Sequence, residues 1–159
     1  MATTDIANTN KMKQILLVED NVNDVELTLA ALADYQLANE VVVARDGQEA
    51  LDYLLREGAF AGRPEGNPVV VMLDLKLPKI DGKEVLHRIK TDALLKLIPV
   101  VVLTSSSEER DLAESYQLGV NAYVIKPVEF HEFIKAVKSL SLFWAITNEP
   151  PAGSVKRNI

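Results

Sequence analysis

The stretch Val69-Val-Val-Met-Leu-Asp74-Leu-Lys-Leu-Pro78 sets an unbroken apolar run against one acidic residue and then closes in a proline turn. Five apolar residues with no polar residue at alternate positions suit a strand buried on both faces, as in a parallel sheet covered by helices. Four similar runs flank it: Ile15–Val18 and Val41–Ala44 before, Val100–Leu103 and Ala122–Ile125 after. Between the runs the apolar spacing turns helical. Val22, Val25, Leu29 and Leu32 make one stripe; Ala50, Leu51 and Leu54 a second; Val85, Leu86 and Ile89 a third; Leu112, Ala113 and Tyr116 a fourth. Phe130, Phe133, Ile134, Val137 and Leu140 make the stripe of a long last helix.

Helix starts are marked by Asn23 before Glu26, Asp46 before Glu49 and Ser106 before Glu109, each at capping-box spacing or a variant of it. Gly47 and Gly82 sit near helix starts, and Gly119 closes the fourth helix. The order is therefore a strand and a helix, five times over. Such alternation implies right-handed crossovers and a doubly wound α/β sheet.

The chain has 159 residues, and its 17 Lys+Arg against 23 Asp+Glu give a formal charge of −6. That length suits one domain and leaves no room for a separate output domain of ordinary size. The absence of cysteine excludes disulfides, thiolate metal sites and thiol nucleophiles. An acidic chain also lacks the basic face that nucleic-acid binding requires, so no direct DNA contact is expected. The apolar runs are strand-sized, far short of the roughly 20 residues that cross a bilayer, and residues 1–12 are polar, without a signal-like apolar stretch. The expectation is a soluble, cytoplasmic protein with a flexible N-terminal segment (1–12), one domain (13–146) and a flexible tail (147–159). The Gly- and Pro-rich segment 58–68 reads as a long exposed loop, either a tolerated insertion or a partner contact around Phe60.

In a doubly wound sheet, ligands bind outside the carboxyl ends of the strands. The first run ends in Glu19-Asp20, the third in Asp74, the fourth in Thr104 and the fifth in Lys126-Pro127. Any one of these has an ordinary reading as a cap or turn residue. Together they bring carboxylates, a hydroxyl and an ammonium to one sheet edge. Carboxylates crowded in a crevice repel one another until a proton or a cation relieves them, and hard oxygen donors with open positions suit magnesium. The lysine and hydroxyl would cover the oxygens of a transferring phosphoryl group. Asp74, single and central, is the candidate nucleophile, with Glu19 and Asp20 as metal ligands.

At these residues the chain resembles the receiver domain of two-component response regulators, from about Lys13 to Leu142. The resemblance rests on Ile15-Leu-Leu-Val-Glu-Asp20, on Asp74-Leu-Lys-Leu-Pro78 with Asp81-Gly82, on Val101-Val-Leu-Thr104-Ser105 and on Ala122-Tyr-Val-Ile-Lys126-Pro127. It implies a flavodoxin-like fold of strand order 2-1-3-4-5 and a phosphoacceptor role for Asp74. It further implies Mg²⁺ on the side chains of Asp20 and Asp74 and the backbone carbonyl of Lys76, with Glu19 acting mainly through coordinated water, and phosphoryl contacts and switching through Thr104, Ser105, Lys126 and Tyr123. The Lys126–Pro127 bond is expected to be cis. Lys76 and Ser106 are expected to tune the lifetime of the phosphorylated state. The long loop, Asn121-Ala-Tyr123 and Phe143-Trp144 also resemble single-domain regulators that partner phytochrome-type histidine kinases. The partners implied are such a kinase, or a histidine phosphotransfer protein.

Phe143 and Trp144 follow the last complete apolar stripe, where little sheet remains to cover them, and either are candidates for a homodimer or kinase contact or fold back on the N-terminal segment or the first helix. Rival readings are a haloacid-dehalogenase-like phosphatase and a receiver-like binding module that is never phosphorylated. The first resembles a pattern with Asp two residues after the nucleophile, where this chain has Lys76. The complete acidic set argues against the second.

Overall fold

A computed structural model describes residues 14–34, 40–152 and 154. Its strands are β1 (Ile15–Val18), β2 (Val41–Ala44), β3 (Val70–Leu73), β4 (Val100–Thr104) and β5 (Ala122–Ile125). Its helices are α1 (Val22–Ala33), α2 (Gly47–Leu55), α3 (Gly82–Thr91), α4 (Glu109–Gln117) and α5 (Phe130–Leu142). The strands form one parallel sheet of order 2-1-3-4-5, the flavodoxin-like topology expected from the sequence.

Side chains alternate across a strand, so each apolar run serves two cores. Leu16, Val18, Val71, Leu73, Val100 and Val102 face α2 and α3, where Leu51, Leu54, Val85, Leu86 and Ile89 meet them. Ile15, Leu17, Val70, Met72, Val101 and Leu103 face α1 and α5, packing on Val25, Leu32, Phe133 and Val137. This two-sided burial is why the strands lack polar alternation.

Several local expectations are corrected. The N-cap of α1 is Asn21, whose side chain accepts the Asp24 amide at 3.1 Å; Asn23 lies inside the first turn. Asp46 caps α2 as expected, taking the Glu49 amide at 2.8 Å while the Glu49 carboxylate reaches back to the Arg45 amide. Ser106 does not cap α4, which starts after Glu108 without a side-chain cap. Its hydroxyl donates to Asp111 and accepts the Glu108 amide at 3.4 Å. The α4 stripe faces outward: Leu112 and Tyr116 are 40% and 55% exposed, and Ser115 is the buried residue of that helix. Gly119, at φ +100°, turns the chain after α4 in a conformation that favours glycine.

The segment 58–68 is tied down more than its composition suggests. It opens in a 3₁₀ turn, Gly58–Phe60, and Phe60 packs edge-on against Tyr53 rather than standing out for a partner. Arg63 stacks over the Tyr53 ring at 4.2 Å and donates to the Tyr53, Leu54, Pro64 and Gly66 carbonyls. The Asn67 amide donates to the Ser154 carbonyl at 3.1 Å, joining this loop to the described part of the tail. After α5 the chain makes a π-helical turn, Phe143–Thr147, in which Phe143 and Trp144 meet edge to face at 4.9 Å. Trp144 folds back on the α1–α5 core, so only Phe143, 48% exposed, keeps the open position expected of the pair. Residues 1–12, expected as a flexible segment, lie outside the described residues. No helix among the described residues is long and apolar enough to cross a membrane.

Candidate functional site

Sheet register builds the site. Val18 pairs with both Ala44 and Leu73, and the ladder runs on for one residue, with the Glu19 amide donating to Ala44 (2.9 Å) and the Asp74 amide to Val18 (3.1 Å). Glu19 and Asp74 are thus held side by side just past neighbouring strands. On the far side the Lys126 amide donates to the Thr104 carbonyl at 2.6 Å, which sets the fifth strand's lysine beside the fourth strand's threonine. The start of α3 closes the floor. A Cβ on Gly82 would lie 2.2 Å from the Asp74 carbonyl oxygen, so only glycine allows this approach.

Glu19, Asp20 and Asp74 each offer a carboxylate oxygen within 4.8 Å of the others. Such a set of hard oxygen donors fits a divalent cation that keeps water in its remaining positions. Glu19 and Asp74 are buried, whereas Asp20 is exposed at the rim. The Lys126 ammonium lies across the cluster, bonded to Glu19, 2.9 Å from Asp24 Oδ2 and 3.2 Å from Asp74 Oδ2. Burial pushes the Glu19 carboxyl up to about 7, against the pull of the Lys126 ammonium. Burial also works against the charge on Lys126. Its hydrogen bonds to Asp24 and Glu19, with the charges of Glu19 and Asp74, outweigh that and hold it above its ordinary value.

The Lys126–Pro127 bond is trans, contrary to the expectation from the resemblance, and no cis peptide occurs among the described residues. Trans is the favoured isomer by about 0.5–1 kcal/mol, and from it the lysine already reaches all three carboxylates.

Thr104 is fully buried at the end of β4, where its hydroxyl oxygen accepts the Ser106 amide at 3.3 Å. The Tyr123 hydroxyl donates to the Ser106 carbonyl at 3.0 Å, linking β5 to the loop after β4. Ser105 is exposed. Lys76 is exposed as well, its amide donating to Asp74 Oδ1 at 3.3 Å. An open cleft of about 400 Å³ beside Asp74 is lined by Asp20, Lys76, Pro78, Asp81, Lys83 and Asp111.

Residues 15–138 match the model of the response regulator receiver domain. The chain belongs to that family. The receiver is 41% identical over 143 residues to the response regulator Rcp1 of Synechocystis sp., covering 90% of this chain and 96% of Rcp1. A solved Mn²⁺-bound form of Rcp1 aligns with a TM-score of 0.82 over 88% of this chain and 99% of that one. The phosphorylated cyanobacterial phytochrome response regulator RcpA is 46% identical, with a TM-score of 0.82 over 88% of this chain and 99% of its own. The bacteriophytochrome response regulator AtBRR is 64% identical, with a TM-score of 0.68, over 86% and 98% of the two chains. A phosphoryl-accepting receiver of the response regulators, similar to those of phytochrome systems, is thus the protein's class, and its work is signalling.

The structure brings together Glu19, Asp20, Asp74 and Lys126, while Thr104 meets Lys126 through its backbone and turns its hydroxyl to the Ser106 amide. It adds Asp24, which sequence reasoning passed over. Asp24 reads as an ordinary acid in the first turn of α1, favourable beside the helix N-terminus. Only the fold, which brings the first turn of α1 within reach of the residue that follows β5, reveals its contact with Lys126. Phe143 and Trp144 lie on the C-terminal extension of α5 and are not part of this site.

Proposed function

We propose that this receiver is the phosphoacceptor of a phytochrome-type two-component system, with Asp74 taking the phosphoryl group from a histidine kinase or histidine phosphotransfer protein. The observation that carries the reading is the position of the Asp74 carboxylate, between two further carboxylates and the Lys126 ammonium, next to an open cleft lined by Asp20 and Lys76. A carboxylate oxygen of Asp74 attacks phosphorus as the P–N bond to the donor imidazole breaks, giving an acyl phosphate and returning the electron pair to the imidazole. Mg²⁺, held by Glu19, Asp20, Asp74 and the Lys76 carbonyl, would supply divalent charge opposite the phosphoryl oxygens; the Mn²⁺-bound form of Rcp1 supports a divalent ion here. Lys126 moves from the carboxylates to the phosphoryl oxygens. Thr104 turns its hydroxyl to the same group, and Ser105 offers a contact at the rim.

Phosphorylation adds roughly −1.5 to −2 charges, as judged from other phosphorylated side chains, and so gives Thr104 and Lys126 a target they lacked. Drawing Thr104 inward leaves room for Tyr123, which biases α4, β5 and α5 toward a second arrangement. The exposed side chains Leu112 and Tyr116 on α4 and Ile125 on β5, with Phe143 beyond α5, support a homodimer on that face. The names of RcpA and AtBRR support the phytochrome pairing. Lys76 at the cleft and Ser106 beside Thr104 tune the lifetime, and slow self-dephosphorylation is the only turnover expected. Cytoplasmic action completes the reading.

Incubation with Mg²⁺ and a small phosphodonor, followed by intact mass and oligomer size, tests it. The expected result is a Mg²⁺-dependent phosphoryl adduct that Asp74→Asn lacks. An adduct that persists in the variant would overturn the assignment.

A further inference from the structure

Ser106 is the most heavily bonded residue of the loop between β4 and α4. Its amide is given to Thr104, its carbonyl receives Tyr123, and its hydroxyl is donated to the Asp111 carboxylate. The Asp111 carboxylate in turn pairs with Lys83 on α3. Lys83 has a second partner on α4, Glu114, at 2.7 Å. The Lys83 ammonium and the hydroxyl of Ser106 together hold the Asp111 carboxyl below its usual range. Lys83 also follows Gly82, the residue packed against the Asp74 backbone. One carboxylate therefore ties the switch loop to the first turn of α4 and to the helix that abuts the phosphoacceptor.

This arrangement opposes the phosphorylated one. For Thr104 to turn toward an acyl phosphate, the bond from the Ser106 amide must break. Ser106 is buried, so its amide is left without a partner unless the residue moves as well. That movement must break the bond to Asp111. Resting on the reading of Asp74 as phosphoacceptor, we propose that Asp111 is a positioning residue, which sets the readiness of Asp74 for phosphorylation by anchoring Ser106 and, through it, Thr104 and Tyr123.

The test is the rate of Asp74 phosphorylation by a small phosphodonor at fixed Mg²⁺, followed by intact mass. Asp111→Ala is expected to raise the rate about threefold to tenfold, the worth of one hydrogen bond. Ser106→Ala cuts the same bond and raises it by a similar factor. Adding Asp111→Ala to Ser106→Ala then changes nothing more. Asp111→Asn keeps an acceptor for the Ser106 hydroxyl and restores the wild-type rate, which a loss of general stability would not allow. In the metal-free protein without donor, hydrogen exchange at the Ser106 amide quickens in Asp111→Ala and not in Asp111→Asn. Unchanged rates in both alanine variants, additive effects, or an Asp111→Asn rate equal to that of Asp111→Ala would overturn the inference. Absence of any Asp74 adduct in the wild type would instead overturn the reading on which it rests.

Discussion

The Lys126 ammonium stands 3.2 Å from the Asp74 carboxylate, although 52 residues separate the two in sequence. The same ammonium touches Glu19 and Asp24, so it is the counter-charge of three carboxylates at once. A phosphoryl group arriving on Asp74 offers it a stronger partner, because its oxygens carry more charge than one carboxylate. Lys126→Met should therefore slow phosphorylation of Asp74 by about a hundredfold, the usual effect of removing one preorganised donor. Mass spectrometry against time with a small phosphodonor measures it. A rate equal to wild type would show that Lys126 acts only as a structural counter-ion.

Asp24 draws the same lysine from the other side. Its loss in Asp24→Asn removes negative charge near the crevice and lets Lys126 settle on Glu19 and Asp74, where it competes with a cation. Both effects weaken divalent binding. Calorimetric titration with Mg²⁺ should show a dissociation constant raised by about twofold to fivefold, as expected when a charge pair of modest exposure is lost. Unchanged affinity would mean that Asp24 does no more than support the start of α1.

Much of this was legible in the sequence because strands buried on both faces leave an unambiguous signal. Val69–Leu73 and its four counterparts admit few other structures, and the residue after each run falls on the ligand-binding edge by topology alone. The illegible parts share a different cause. The apolar stripe of α4 misled because apolar residues are common on surfaces: Leu112 and Tyr116 face outward, while Ser115 packs inward. Ser106 met the capping pattern, yet Asp111 competes for its hydroxyl from the first turn of the helix. Asp24 carries no local mark at all, since its partner lies 102 residues away.

Asp46 provides the pH dependence. The Glu49 amide it accepts, with Lys79 at 3.3 Å, holds its carboxyl below the ordinary 3.8, burial opposing them. The folded protein therefore binds this proton less tightly than the unfolded chain. Its contribution is full above the unfolded value and is lost as pH falls through the lower folded value. Asp46→Asn keeps the cap but loses the charge, and should cost about 0.3–1 kcal/mol at neutral pH. Urea denaturation across a pH series should show the gap between variant and wild type closing below the ordinary carboxylate value. A gap independent of pH would assign the effect to cap geometry instead.

Gly82 joins the stability of the fold to the chemistry of the site. Its amide donates to the Leu75 carbonyl at 2.8 Å, and its missing side chain lets α3 begin against the backbone of Asp74. A methyl group there would meet the Asp74 carbonyl oxygen at 2.2 Å and the Leu75 Cα at 2.5 Å, both backbone atoms that cannot swing aside. Gly82→Ala must shift either the helix or the turn that carries Asp74. Overpacking of this kind costs about 1–3 kcal/mol, visible as a lower urea midpoint with an unchanged slope. Because the displaced atoms belong to Asp74 and its neighbour, phosphorylation should slow in conditions where the variant is fully folded. Leu86→Ala, on the buried face of the same helix, should cost about 2–5 kcal/mol through cavity formation, yet leave the rate on the folded protein near that of wild type. If both variants slowed phosphorylation in proportion to their loss of stability, the close approach at Gly82 would have no special part in placing Asp74.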